Sequence, residues 1–386
     1  MSQISIIGAG ATGLSLAIEL VKNNFKVRIF DKSDAPREKF ESRAIGTHAR
    51  TMEIFERFGV LDEMLDCGLR WRNFNIHANN KRIGTINFER IASKFNFALI
   101  IPQAETERVL EAKLNSLGVS VERGFELINL NQIDEKVFAT LRNGKSETKL
   151  VGSSFLIGCD GARSATRKLL KLDFVGKQLQ NSFLMDCEIE WNQTPLSDGN
   201  TFLDFGRRLI IGQLPQNRWR VVLNFNGDKE KYETPTLETM QNFVDEFGVK
   251  ARLMNQTWAS SFNLSVRRTL TMRVGNIFLA GDSAHNVCPN AGQGLNAGVH
   301  DAICLANKLR LFCKTNDENA LEDYEKMRSP VIKKLLNASE RMEMLMTLEN
   351  KFAAKARNFA LPILTKSSFV TTKIANQVAG VNLEIS

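Results

Sequence analysis

The stretch QISIIGAGATGLSLAIELVKNNFKVRIFDK, residues 3–32, decides the fold of this chain. The apolar run at residues 4–7 predicts a buried strand, after which apolar side chains such as Leu14 and Ile18 recur at helical spacing and a second extended run ends at Asp31. A strand, a helix and a strand within about thirty residues make one β-α-β unit, whose two strands lie parallel. The sequence therefore predicts an α/β fold with a parallel sheet.

Three glycines, Gly8, Gly10 and Gly13, form a G-x-G-x-x-G motif between the first strand and the helix. The first glycine of this motif permits a tight turn, the second lets a pyrophosphate approach the backbone, and the third lets the helix pack closely on the strand. Free N–H groups at the start of the helix, around Ala11 and Thr12, attract the phosphates. The pattern predicts a dinucleotide site, and a flexible turn that binds nothing is the less favoured alternative.

An acidic residue stands where the second strand of the unit ends. Asp31 follows Gly13 by eighteen residues (31 − 13 = 18), and a carboxylate at this place accepts hydrogen bonds from the hydroxyls of a ribose. We therefore expect Asp31 and the adjacent Lys32 to contact the dinucleotide. The motif by itself does not separate FAD from NAD.

The composition is that of a globular protein, with 386 residues of which 43% are hydrophobic and 24% charged. No basic stretch precedes the first apolar segment and no run of about 18 apolar residues occurs, so we predict neither a signal peptide nor a spanning helix and expect a cytoplasmic location. Cysteines and histidines are dispersed, which disfavours a metal site. The net charge of +8 fits an anionic cofactor or an anionic membrane surface, and since no nucleic-acid-binding motif is present, nucleic acid is not expected.

Changes in the apolar pattern along the chain predict two interleaved domains and a helical tail. The predicted segments are 1–70, 100–178 and 268–340 for the nucleotide-binding domain, 71–99 and 179–267 for a second sheet, and 341–386 for the C-terminal helices. The second sheet is expected to be mainly antiparallel because its runs alternate between apolar and polar residues.

Two later segments carry a family resemblance. FLIGCDGARSATRK, residues 155–168, and VGNIFLAGDSAHNVCPNAGQGLNAGVHDA, residues 274–302, resemble the second and third motifs of the class A flavoprotein aromatic hydroxylases, the p-hydroxybenzoate hydroxylase-like FAD-dependent monooxygenases. The resemblance implies a GR2-type, Rossmann-like FAD-binding domain with an inserted, mainly antiparallel substrate sheet and C-terminal helices. It selects FAD as the dinucleotide.

The resemblance also implies a set of cofactor contacts. Gly281 permits close approach of the ribityl chain, and Asp282 accepts a hydrogen bond from one of its hydroxyls. Gly292 and Gly294 leave room for a flat ring system, and N–H groups at the following helix start stabilise the negative charge of a reduced flavin. The further residues that the resemblance implies are Arg43 for a phosphate, Gln103 for a hydrogen bond, Asp160 and Gly161 in the second motif, and Leu295 and Asn296 at the helix start. Arg50 is left open.

The activity implied is an FAD-dependent monooxygenase that takes electrons from NADPH or NADH. Asp160 and Arg163 would shape the surface that receives the nicotinamide, and the loop of Pro289, Asn290 and Gly292 would lie against the flavin. With oxygen, such enzymes hydroxylate an aromatic or polyketide-like small molecule through a flavin hydroperoxide. No general base is assigned.

The substrate residues are expected on the inserted sheet, where strand alternation selects Phe202, Phe205, Gln213 and Asn224. Cys288 stands where the family often has proline, and we expect it to be inert. The chain is expected to be the short form of the family, without a thioredoxin-like C-terminal domain, and a monomer or homodimer.

Two other functions remain open from the sequence. Phe352, Ala356, Phe359 and Ile363 recur at helical spacing among basic residues, a pattern typical of a helix that lies on an anionic membrane. Such contact would fit a ubiquinone-pathway or isoprenoid-type flavoenzyme with a lipid-like substrate and a peripheral membrane location, although packing of this stripe onto the protein is favoured. The second alternative is a non-catalytic FAD-binding module.

Overall fold

The computed structural model describes residues 3–38, 41, 44–226, 234–289 and 292–381. Its helices are, in chain order, α1 Ala11–Lys22, α2 Ala49–Phe58, α3 Leu61–Cys67, α4 Gln103–Ser116, α5 Ala165–Leu169, α6 Leu237–Glu246, α7 Gln293–Thr315, α8 Asn319–Met346, α9 Lys351–Lys366 and α10 Ser368–Ala379. Its strands are β1 Gln3–Ile7, β2 Lys26–Phe30, β3 Gly46–Thr47, β4 Leu69–Trp71, β5 Asn73–Ala78, β6 Lys81–Asn87, β7 Ala98–Ile100, β8 Val121–Glu122, β9 Glu126–Ile133, β10 Lys136–Arg142, β11 Thr148–Ser153, β12 Phe155–Gly158, β13 Val175–Trp191, β14 Gly199–Leu203, β15 Arg207–Leu214, β16 Arg218–Phe225, β17 Ala251–Arg268, β18 Arg273–Val274, β19 Ile277–Leu279 and β20 His285–Asn286.

The nucleotide-binding sheet has the strand order β18-β19-β12-β1-β2-β8. β1 pairs in parallel with β2 and β12, and β12 pairs in parallel with β19, so strands from distant parts of the chain lie side by side. β12 and β19 are buried along their whole length, as expected for parallel strands covered on both faces. The predicted parallel sheet is confirmed.

Different layers cover the two faces of this sheet. On one face, Ile6 and Ile157 pack with Leu14 and Ile18 of α1 in a core that also includes α7. On the other face, Ile7, Phe30 and Leu156 pack against the antiparallel sheet β11-β10-β9. Successive residues of a strand point to opposite faces, which explains why neighbouring isoleucines of β1 enter different cores.

The inserted sheet has the order β20-β17-β13-β16-β15-β14-β5-β6, and of these described pairs β14 and β5 run parallel while the others are antiparallel. One face packs on α6, where Met240 and Val244 share a buried core with Phe183 and Val221. The opposite face meets α8, where Leu264 packs with hydrophobic residues of that helix. The predicted fold class, an α/β nucleotide-binding domain with an inserted, mainly antiparallel sheet and C-terminal helices, is confirmed.

All five predicted domain boundaries fall inside continuous elements, and those at 70/71 and 99/100 lie within the short strands β4 and β7. The boundary at 178/179 lies within β13, the one at 267/268 within β17, and the one at 340/341 within α8. Of the last three elements, only α8 reaches both domains, since Leu321 lies in the nucleotide-binding core and Ile332 packs at the inserted sheet, whereas β13 and β17 belong to the inserted sheet. The small sheet β3-β7-β4 adds a further connection between the two domains.

The last two helices return across the inserted sheet. α9 packs on β6, and α10 contacts both β6 and the short 3-10 helix Phe88–Arg90. Among the helices that the structure describes, none is both long and apolar enough to cross a bilayer.

Candidate functional site

The first turn of α1 is shaped by two glycines that tolerate no side chain. Gly8 has a φ of +104°, and a Cβ there would lie 2.3 Å from the carbonyl oxygen of Cys159 on the neighbouring strand. A Cβ on Gly13 would lie 2.0 Å from the carbonyl oxygen of Gly8. The protein's own packing therefore requires both glycines.

Gly10 differs, because the nearest atom to a Cβ there is the Glu107 Oε1 at 3.5 Å, an ordinary contact. Gly10 is the N-cap residue of α1 and supplies no side-chain hydrogen bond to the helix. The first N–H groups of α1 therefore have no capping side chain, and the glycine at the helix start leaves space next to them. This arrangement suits a phosphate.

Asp31 fixes the same turn from the next strand. Its Oδ2 accepts a hydrogen bond from the Ala9 N–H at 2.8 Å, and its Oδ1 accepts one from the Ser33 N–H at 2.9 Å. A carboxylate has about four lone-pair sites, so acceptor capacity remains for a ribose hydroxyl. Lys32 is exposed beside it.

Gln103 belongs to a charged cluster that sequence reasoning did not find. Its side-chain amide donates to Glu107 Oε1 at 2.7 Å, and Glu107 also pairs with Arg37, whose Nε lies 3.1 Å from Oε2. Burial alone would lower the pKa of Arg37, but the carboxylates around it, Glu107 first, raise it. Arg37 thus brings a fixed positive charge close to the glycine turn; a single arginine without motif context gave no signal in the sequence.

The second motif forms a helix cap. Asp160 accepts hydrogen bonds from the hydroxyls of Ser164 and Thr166, at 2.5 and 3.0 Å, and from the Thr166 N–H at 2.9 Å. Gly161 has a φ of +75°, and no atom lies within 4 Å of a Cβ placed on it. The cap thus places Gly161 at a position with free space around it. Arg163, two residues later, is exposed.

The side chain of Thr12, in the first motif, packs against two glycines of the third motif. A Cβ on Gly281 would lie 2.7 Å from Thr12 Oγ1, and a Cβ on Gly298 would lie 2.2 Å from the same atom. Thr12 therefore fills the gap between the two motifs and leaves no space for a side chain at either glycine. The neighbouring Asp282 is exposed.

At the start of α7, Gly294 is open and Asn296 is engaged with the protein. The nearest atom to a Cβ on Gly294 is Asp282 Oδ1 at 4.0 Å. The Asn296 side chain donates to the carbonyls of Gly46 and Gly292, at 2.9 and 2.7 Å, and accepts from the His48 N–H at 3.0 Å. Asn296 thus ties Gly292, just before α7, to β3, a contact that the sequence motif did not reveal.

A buried charge cluster lies beneath Gly281. Asp301 accepts from the Gly281 N–H at 2.9 Å and from His285 Nε2 at 2.6 Å, and its other oxygen accepts from Arg328 Nε at 2.6 Å. Burial alone would raise the pKa of Asp301, but the charges of His285 and Arg328 and the hydrogen bonds lower it well below its usual range. The ionised Asp301 therefore holds the strand end that carries Asp282.

The structure describes only some of the other predicted cofactor residues. Leu295 is half-buried in the first turn of α7 and Pro289 is exposed. Arg50 lies on α2 in an ion pair with Glu53 at 2.9 Å. Arg43 and Asn290 lie outside the described residues.

Cys288 is fully buried in an apolar cluster with Leu264 and Ala297. That Cys288 is inert stays a prediction. In the part of the chain that the structure describes, no group of three or more His, Cys, Asp or Glu side chains is close enough to hold a metal ion.

The four predicted substrate residues do not share one surface. Phe202 packs against the core between the sheet and α6, and its register partner Leu209 lies in that core. Gln213 pairs with Trp219 of the same core, and Phe205 is 40% exposed at the β14–β15 turn.

Asn224 lies on the opposite face, towards α8, in a buried polar cluster. Its side chain accepts from the Ser182 hydroxyl at 2.9 Å and donates to Glu343 Oε1 at 3.1 Å. Arg208 pairs with the other oxygen of Glu343 at 2.9 Å. Arg208 and Glu343 were missed in the sequence because nothing there indicates that α8 crosses the sheet.

Comparison with known proteins gives a consistent result. A family described as "FAD binding domain" matches residues 1–339. The chain is 32% identical to 6-methylpretetramide 4-monooxygenase from Streptomyces rimosus over 94% of its length and 65% of that protein's. It is 28% identical to pentachlorophenol 4-monooxygenase from Sphingobium chlorophenolicum, over 88% of its own length and 64% of that protein's. The chain thus spans about two thirds of the length of these curated relatives.

The fold is also found in a solved structure. The p-nitrophenol 4-monooxygenase from Pseudomonas putida superimposes with a TM-score of 0.87, over 100% of both chains, at 20% sequence identity. At that identity the likeness concerns the fold alone.

Proposed function

The chain belongs to the FAD binding domain family, and from that premise we propose that it is an FAD-dependent, NADPH- or NADH-consuming monooxygenase that hydroxylates an aromatic or polyketide-like compound. The named relatives support this activity, since both are monooxygenases of such compounds by name. The observation that carries the proposal is the glycine pattern of the cradle. Gly10, Gly161 and Gly294 have no protein atom closer than 3.5 Å to a Cβ placed on them.

The residues present fit FAD. The start of α1, with Gly10 as its N-cap and no capping side chain, suits a pyrophosphate, and Asp31 and Asp282 offer carboxylates for ribose and ribityl hydroxyls. The backbone at Gly294 and the start of α7 leaves space for a flat ring. Bound and reduced FAD would supply the activation of oxygen.

The chain's own residues would orient and shield this chemistry. Asp301 holds the N–H of Gly281, and Asn296 holds the carbonyls of Gly46 and Gly292, so these parts of the cradle are preorganised. Asp160 accepts a hydrogen bond from the first turn of α5, and the nearby Arg163 is exposed. These two residues would shape the surface that receives the nicotinamide. Molecular oxygen is the second co-substrate, and a monomer or homodimer is the proposed assembly.

The α8-facing side of the inserted sheet would hold the substrate. Ile210 and Val222 are register partners on this side and are half-buried, as is Phe262 on β17. On this side the half-buried apolar residues lie among two buried ion pairs, Arg208–Glu343 and Arg220–Asp186, and such a mixed lining would suit an aromatic compound that carries polar groups.

One experiment tests the proposal. The purified chain should be yellow or take up FAD at micromolar concentration, and aromatic compounds should accelerate NADPH or NADH oxidation with incorporation of labelled oxygen into product. A colourless protein that refuses FAD would overturn it. Bound FAD without any accelerated reduction would favour the non-catalytic module, and acceleration by quinone or isoprenoid compounds alone would favour the lipid-substrate alternative.

A further inference from the structure

Helix α9 turns its apolar stripe towards solvent. Phe352 is 84% exposed, Phe359 76% and Ile363 61%. The intervals of seven and four residues place these side chains on one face of the helix, together with the exposed Ala356. Large apolar side chains that share one exposed face mark an interaction surface more often than isolated ones do.

The opposite face of α9 anchors the helix. Leu361 is buried with Ile76 and Met346, and Arg357 donates from Nη1 to the carbonyls of Leu345 and Met346, at 3.0 and 2.9 Å. Because this anchor fixes the rotation of the helix, the stripe cannot turn inward without breaking it. The prediction that the stripe packs onto the protein is therefore wrong.

The surface continues onto α10, where Phe369 is 76% exposed. From Lys351 to Ala379 the sequence contains no Asp or Glu, whereas it contains four exposed lysines: Lys351, Lys355, Lys366 and Lys373. The nearest preceding acid is Glu349, whose carboxylate accepts a hydrogen bond from the Asn226 amide. The exposed aromatic and lysine side chains of α9 and α10 therefore lie in a segment that contains no carboxylate.

We propose that this surface, formed by Phe352, Phe359, Ile363 and Phe369 with the four lysines, docks the protein on an anionic lipid membrane. An amphipathic helix with aromatic residues on one side and lysines at its border binds at the interface of anionic bilayers, where both the apolar area and the charge contribute. A symmetric contact with a second copy would bring lysines against lysines without a carboxylate, which is unfavourable. The proposal goes beyond the oxygenase activity and does not depend on it.

Flotation of the full chain with vesicles tests the proposal. We expect binding to vesicles of phosphatidylcholine with phosphatidylglycerol at least about tenfold stronger than to phosphatidylcholine alone, and weaker at high salt. The triple variant Phe352→Ser, Phe359→Ser, Ile363→Ser should lose binding by more than about tenfold. The matched control is Ile133→Ser with Leu150→Ser, which removes side chains that are 55% and 68% exposed on the three-stranded sheet and should leave binding unchanged.

Circular dichroism and the unfolding temperature show whether each variant is folded. Lys355→Gln with Lys366→Gln supplies a second measurement, and it should weaken binding and flatten its salt dependence. Absence of binding to the anionic vesicles, or equal loss in the control variant, would overturn the proposal. So would a sedimentation result in which the triple variant converts a dimer to a monomer, because a second copy would then cover the surface.

Discussion

The cofactor cradle and the proposed substrate face, the α8-facing side of the inserted sheet, are built in different ways. In the cradle, backbone atoms and glycines determine the shape, as at Gly13, where a Cβ would lie 2.0 Å from another residue's carbonyl. On the sheet, side chains such as Ile210 and Val222 determine the shape, and many residue types would fit the same strands. A backbone-built site leaves a sequence motif, whereas a side-chain-built site can change its specificity without changing the fold.

The largest expected difference concerns buried charge in the cradle. Asp301→Asn removes the carboxylate that neutralises Arg328 and accepts from Gly281, so it leaves a cation uncompensated in the interior. We expect a loss of about 3 to 5 kcal/mol in the free energy of unfolding, together with weaker FAD binding. Denaturant unfolding and flavin titration measure both. Glu322→Gln, which breaks an exposed ion pair with Lys326, is the control and should change little.

Gly13→Ala tests the backbone-built character directly. The new Cβ would meet the Gly8 carbonyl, so the turn must shift, and we expect a loss of about 2 to 3 kcal/mol in stability with loss of bound flavin. Gly144→Ala is the control, since no atom lies within 4 Å of its Cβ position. Unchanged stability in Gly13→Ala would contradict the assignment of this glycine to packing.

The pH dependence of stability separates a histidine under the cradle from one on the sheet. Burial first, and then the charge of Arg328, lowers the pKa of His300 to about 3. Because the unfolded chain titrates near pH 6.5, its greater proton uptake lowers stability as the pH falls from about 6.5 towards 3, by up to about 1.4 kcal/mol per pH unit. His300→Asn should reduce this slope.

His77 on β5 provides the comparison on the sheet. Its pKa is also lowered by burial, but its hydrogen bond to Asn200 opposes the shift and its side chain is half-buried. His77→Asn should therefore change the acid slope less than His300→Asn does. Equal slopes in the two variants, measured by urea unfolding between pH 5 and 7, would remove the distinction.

Gly294→Ala distinguishes a glycine kept for the ligand from one kept for packing. A Cβ at Gly294 meets no atom closer than 4.0 Å, so stability should stay equal or rise slightly, because alanine favours the helix. FAD should nevertheless bind about tenfold more weakly, a cost of about 1.4 kcal/mol, if the flavin lies against this backbone. Gly298→Ala lies on the same helix, and its Cβ would lie 2.2 Å from Thr12 Oγ1. Unlike Gly294→Ala, it should lower stability in addition to weakening FAD binding.

The same contrast explains which parts could be predicted from sequence. The β-α-β unit and the parallel sheet were predicted because glycine spacing and apolar periodicity are local properties of the chain. The cluster of Asp301, His285 and Arg328 was not, because no spacing rule links an α8 arginine to an α7 aspartate. Similarly, the sequence spacing of the α9 stripe shows which residues share a face. It does not show whether that face points inward, because the contacts of Arg357 with the end of α8 decide this.

Strand residues of the inserted sheet show the limit most clearly. Alternation predicted that Phe202, Gln213 and Asn224 line a pocket, yet Phe202 and Gln213 lie on the α6 side and Asn224 on the α8 side. A shift of one position exchanges the two faces of a strand, so periodicity alone leaves the choice of face undecided. The motifs of the cradle have no such twofold ambiguity.

The smallest expected effect comes from two neighbouring isoleucines of β15 and tests which face receives the substrate. Ile210 is half-buried on the α8 side, whereas Ile211 is fully buried in the core against α6. Ile211→Val should cost about 1 kcal/mol in stability and leave the KM for an aromatic substrate unchanged. Ile210→Val should cost less in stability, because its side chain is already partly exposed, but should shift that KM by about two- to fivefold. FAD affinity should be equal in both variants, since neither side chain belongs to the backbone-built cradle. If Ile211→Val moved the KM and Ile210→Val did not, the substrate would lie on the α6 side, and the division between the two regions would have to be redrawn.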